Sequence, residues 1–167
     1  MTRPPYFELH IRPMFRLIDC DHMRPYGLEL FDYDSIVTNK EAISEALKNG
    51  MPPADAGGPW PEEWIALFER WVSLECPRLQ LASGVTYSLT RMAGTAQLKA
   101  EGQTPGANIP VWFERLNENE SPREYVLYFA AAGNPGPPQP FTATEALPEE
   151  VTSVSVRDAD GSRTVSL

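Results

Sequence analysis

The sequence predicts an α+β chain of two small domains, a helical one over residues 1–80 and an antiparallel β-sandwich or open barrel over residues 82–167. Three observations carry this. Before residue 80 the apolar residues recur at helical spacing, and after it they alternate with small or polar ones. A length of 167 residues, 42% apolar and 22% charged, is enough for a buried core without staples. The 17 prolines are about twice an ordinary share of roughly 5%, and they mark helix starts and loops.

The elements follow in order. Pro13, Met14, Phe15, Leu17, Ile18 and Met23 read as a first helix, with Pro13 near N1 and Arg24-Pro25-Tyr26-Gly27 ending it. Asp34 is the expected N-cap of a second helix, whose apolar face is Ile36, Val37, Ile43, Ala46 and Leu47 and whose stop is Asn49-Gly50. Residues 51–59 hold too much Pro and Gly to be regular. Pro61, Glu62 and Glu63 open a third helix with a stripe of Trp64, Leu67, Phe68, Trp71 and Val72, closed by Cys76-Pro77. Strands are expected at Val85–Leu89, Ala96–Ala100, Ile109–Leu116, Glu124–Ala130, Val151–Val156 and Thr164–Leu167, with a turn at Asp158–Gly161. The segment Gly133–Pro140 reads as a surface loop.

Charge narrows the function classes. Fourteen basic residues against 23 acidic give a net charge of −9, spread over both halves, so no nucleic-acid or anionic-membrane surface is expected. No apolar run approaches the roughly 20 residues of a membrane span, and no secretory signal is visible, so the expected location is cytoplasmic. Two cysteines, Cys20 and Cys76, exclude a disulfide scaffold and a four-cysteine zinc site, and two free buried thiols are the expected state. There is no Gly-x-Ser-x-Gly elbow, Walker loop or dinucleotide fingerprint. Trp64, Phe68 and Trp71 are expected in the core. Tyr87, Trp112, Tyr125 and Tyr128 are expected there too, with a sugar-binding face as the alternative.

Residues 8–79 resemble a small cytochrome c domain. Ile11-Arg12-Pro13-Met14-Phe15 looks like the helix leading into the haem-attachment motif, and Leu28–Tyr33 like the segment after it. Lys48-Asn49-Gly50-Met51-Pro52-Pro53 resembles the loop that supplies an axial methionine, and Trp60–Val72 the closing helix. The chemistry of that family does not carry over. Covalent haem needs Cys-x-x-Cys-His, and in the register the resemblance implies, those positions hold Asp19, His22 and Met23. Cys20 is out of register. No cofactor is expected.

The same segment offers two other uses. A metal held by Asp19-Cys20-Asp21-His22-Met23 is disfavoured, because adjacent helical side chains point about 100° apart. Non-covalent haem on His22 and Met51 would need a cavity. An empty haem seat is too costly to persist, so either side chains fill it or a ligand does. The favoured expectation is a filled, dry core with Trp60 or Met51 as plug. The candidate pocket residues are Asp19, Asp21, His22, Met23, Met51 and Trp60, with no metal site. The expected function is a non-catalytic binding or accessory protein partnering another protein such as a redox enzyme. The alternative is a small-molecule-binding protein or enzyme using a pocket at the vacated haem site.

Overall fold

The computed structural model describes residues 3–117, 122–131 and 136–167. The chain divides between Arg78 and Leu79 into two compact units, each with its own core.

In the first unit the stretch expected as one helix from Pro13 to Met23 is broken. A π turn, Phe7–Ile11, and a 3-10 turn, Arg12–Met14, lead to an extended Phe15, and helix α1 spans only Leu17–Met23. The cause is Arg16. Its backbone N–H and its guanidinium both donate to the Asp19 carboxylate, at 2.8–3.0 Å, and so start a new helix there. The restart rotates the buried face: Leu17 and Ile18 are exposed, whereas Asp19 and Cys20 are buried.

Helix α2 spans Tyr33–Lys48. Its N-cap is Asp32 rather than Asp34, because the Asp32 side chain accepts from the Ser35 N–H at 2.8 Å. Ile36, Ile43 and Leu47 are its buried stripe. Helix α3, Glu62–Ser73, buries Phe68 and Trp71 completely, but Trp64, expected in the core, lies at the rim with 38% exposure. Past α3, the Trp71 indole N–H donates to the Pro77 carbonyl at 2.8 Å and the Tyr33 hydroxyl donates to the Cys76 carbonyl at 2.7 Å. The Phe7 N–H also donates to Pro77 at 3.0 Å, so one turn ties three segments together.

The second unit is two open sheets around one core. Strands β2 (Thr86–Met92), β3 (Thr95–Thr104) and β6 (Gln139–Pro148) form one, in the order β2-β3-β6. The other holds β1 (Leu79–Leu81), β4 (Val111–Arg115), β5 (Arg123–Ala130), β7 (Ser153–Asp158) and β8 (Gly161–Ser166). β4 runs along one edge of β5; β1 and β7 share the other edge, pairing with its C- and N-terminal halves. Leu89, Leu98 and Leu147 of one sheet join Phe113, Leu127 and Val156 of the other in the core.

Three expectations need correcting here. The pairing is not wholly antiparallel, because β5 and β7 run parallel. Strand β1 begins at Leu79, so residues 79–80 join the sheet rather than the helices. Gln139 and Pro140, read as the end of a surface loop, open β6, and the prolines at both ends of that strand hide it in the sequence. Gly133-Asn134-Pro135 of that loop lie outside the described residues.

One polar network pins the sandwich. The Asp158 carboxylate is fully buried and accepts from the Tyr87 hydroxyl at 2.8 Å and from Arg163 Nη2 at 3.2 Å. Burial first, and then this hydrogen bond to a carboxylate, raise the Tyr87 hydroxyl above its usual range. The unfolded chain loses the proton near pH 10, whereas the folded chain holds it to higher pH. The stabilisation is therefore complete below about pH 10 and lost as pH rises beyond it. A urea midpoint followed from pH 8 to 11 is expected to fall on the alkaline side, and to fall less in Tyr87→Phe.

Candidate functional site

The first unit holds a pocket of about 120 Å³, partly open to solvent at its rim. Its walls are built in sequence order. The capped start of α1 supplies Phe15, Asp19, His22 and Met23; the following segment supplies Leu28 and Leu30. From α2 come Ile43, Ala46 and Leu47, and from the loop after it Met51, Pro52, Pro53, Ala56 and Trp60.

Two backbone devices place the loop. Gly50 ends α2 in the left-handed conformation, at φ 85°, and the Met51 N–H donates back to the Ala46 carbonyl at 3.1 Å. This helix-ending motif brings Met51 onto the last turn of α2. The Pro53 carbonyl then accepts from the N–H groups of Ala56 and Gly58, at 2.9 and 3.0 Å, curling the loop into a compact wall. Arg16 fastens that wall to α1, since the Nη2 that holds Asp19 also donates to the Ala56 carbonyl at 2.6 Å. Gly57 must be glycine. Its φ is 98°, and a Cβ there would overlap the Arg16 guanidinium.

The aromatic wall is continuous. Trp60 is 7% exposed and packs on Phe15 at 5.1 Å and Phe68 at 6.4 Å between ring centroids, with Trp64 edge-on at 5.7 Å. Met51, by contrast, is 43% exposed at the rim.

Of the six expected pocket residues, Asp19, His22, Met23, Met51 and Trp60 line this cavity. Asp21 does not: it is exposed and pairs with Arg24 at 3.3 Å. Trp60 is buried against Phe15 and Phe68, and a partly open pocket remains beside it with Met51 at its rim. Sequence reasoning missed Arg16, the residue that fastens the site. Its spacing of three from Asp19 was the available signal.

The chemistry of the lining is sparse. Burial works to raise the Asp19 carboxyl, but the hydrogen bonds and charge of Arg16 outweigh it and hold the group below the usual carboxylate range. Asp19 is therefore an anion already matched to its cation. Cys20 is buried beside the site and Cys76 is buried elsewhere in the unit, both unbridged. Burial pushes both thiols up, so neither is a poised nucleophile. Ellman's reagent at pH 8 is expected to leave both unreacted in the folded chain and to titrate two thiols after denaturation.

Among the described residues no three His, Cys, Asp or Glu side chains converge as a metal cluster. Haem does not fit either. The thiol pair is missing, and the cavity lies well below the roughly 300–1,000 Å³ of pockets that take drug-sized ligands.

In the second unit an open depression of about 480 Å³ is lined by Gln80, Ser83, Gly84, Gln103, Thr104, Pro105, Phe129 and Pro138. Tyr87, Trp112, Tyr125 and Tyr128, the alternative sugar platform, do not share a face. Tyr125 points into the core and Tyr128, three residues on, to the other side of β5. The Tyr87 hydroxyl is bound to Asp158.

No helix among the described residues is long and apolar enough to cross a membrane. No family model matches the chain, and no curated protein or solved structure matches it significantly.

Proposed function

We propose that the chain is a non-catalytic binding protein whose helical unit is a cytochrome c-like module without haem. The observation that carries this reading is the lining of the cavity. The positions that the resemblance assigns to haem attachment, Asp19, His22 and Met23, surround one void together with Met51, the counterpart of the axial methionine. Around that void the carboxylate is neutralised by Arg16 and the walls are otherwise almost entirely apolar. Such a site can hold a molecule but supplies no nucleophile, and its carboxylate is committed to Arg16, which leaves His22 as the one polar lining side chain not tied to that pair.

Its partner, on this reading, is another protein such as a redox enzyme, working in the cytoplasm. Support for the partner comes from subtraction: a redox scaffold retains its shape-giving residues and lacks the motif that carries electrons. The unbridged cysteines agree with a reducing compartment. The test is capture of the tagged chain from its own cells, followed by gel filtration. A redox enzyme that co-elutes at fixed stoichiometry, with no turnover by the chain alone, is the expected result. A chain that elutes alone at every concentration contradicts the partner reading.

The cavity also favours a second reading, a small-molecule-binding protein that uses this pocket. The two readings are compatible, since a bound molecule can tune how a module docks.

A further inference from the structure

The occupant of the cavity is selected by size and by charge, and the inference rests on the small-molecule reading above. We propose that the cavity binds one neutral, single-ring apolar molecule, an aromatic ring of about the size of benzene or toluene.

Size comes first. The cavity measures about 120 Å³, and an apolar cavity of about 150 Å³ stays dry and takes up benzene or xenon. The shortfall is met by the walls. Met23 and Met51 have flexible thioether side chains that adapt to a ring and make favourable sulfur–aromatic contacts. Met51, half-exposed at the rim with Pro52 beside it, is the side chain that swings aside to admit the ring. Two fused rings exceed the space.

Charge of either sign is rejected. An anion finds the Arg16 guanidinium already donating to Asp19 and to the Ala56 carbonyl, and apart from His22 the rest of the wall is apolar. A cation finds both oxygens of that carboxylate already accepting from Arg16, and would lose its water for nothing. A neutral ring loses only apolar hydration on entering, which is favourable.

The test uses the full chain, ¹⁵N-labelled, titrated with toluene and with naphthalene and separately equilibrated with dissolved xenon. Toluene is expected to shift the amides of Met23, Ile43, Leu47, Met51 and Trp60 saturably, with a Kd on the order of 0.1–1 mM. At saturation it should raise the melting temperature by about 2–5 °C. Naphthalene should do neither. Ala46→Leu, which pushes a side chain into the void from α2, should weaken toluene by at least about tenfold; Ala46→Val serves if the leucine variant does not fold.

Xenon separates two failures. Xenon that enters while toluene does not overturns the ring inference and leaves the pocket reading standing. Exclusion of both overturns the two together. Naphthalene binding as tight as toluene overturns the size argument, and undiminished toluene binding by a folded Ala46 variant overturns the location.

Discussion

Trp60→Ala is expected to destabilise the helical unit by about 3–5 kcal/mol, the range for truncating a buried aromatic side chain. Trp60 is 7% exposed and touches Phe15, Trp64 and Phe68, so few neighbours are free to collapse into the space it leaves. The new void opens onto the existing one, because Trp60 is part of that wall. The variant should therefore gain binding of naphthalene, which the native cavity excludes. Urea unfolding measures the first effect and amide shifts on naphthalene titration the second. A loss of stability without the gain would place Trp60 in the core but not at the site.

Asp19→Ala is the second large effect. It removes three hydrogen bonds at once and leaves the Arg16 guanidinium with only the Ala56 carbonyl. Arg16 is 39% exposed, so water recovers part of the loss, and about 1–3 kcal/mol is expected rather than the full penalty of a buried unpaired charge. The pH dependence has a definite sign. The folded-state carboxyl sits below its unfolded value, so its stabilisation is present above the unfolded value near 3.9 and is lost as pH falls through the folded one. Asp19→Asn should flatten that acid limb in denaturant midpoints taken from pH 6 down to pH 2. Gly57→Ala should damage the same fastening from the other side, through its positive φ and its overlap with the guanidinium. In an Arg16→Ala background the overlap part of that penalty should disappear, which a double-mutant cycle measures.

Much of the fold was legible because periodicity is a strong signal. Helices α2 and α3 and strands β2, β3, β5 and β8 lie where their apolar spacing puts them. Local polar chemistry was harder to read. The break before α1 depends on one arginine bonding a carboxylate three residues on, and no apolar pattern records it. The cap at Asp32 was missed for a similar reason, since two aspartates stand two apart and only one can face Ser35. Strand β6 was hidden by its prolines, and the parallel pairing of β7 with β5 is a long-range choice that no local window contains. At the site, helix α1 and the loop after α2 bring five of the expected residues together, whereas Asp21 is drawn outward by Arg24. Arg16 escaped notice because its partner Ala56 is 40 residues away.

The helical unit holds a pocket too small and too sparsely equipped for haem, with the Arg16–Asp19–Ala56 fastening tying its loop wall to α1. The most direct test is a hemin titration of the purified chain, read in the Soret band. The expected spectrum is that of free hemin plus protein, with no saturable change and no rise in melting temperature. A stoichiometric complex with a shifted Soret band and a stabilised helical unit would contradict it.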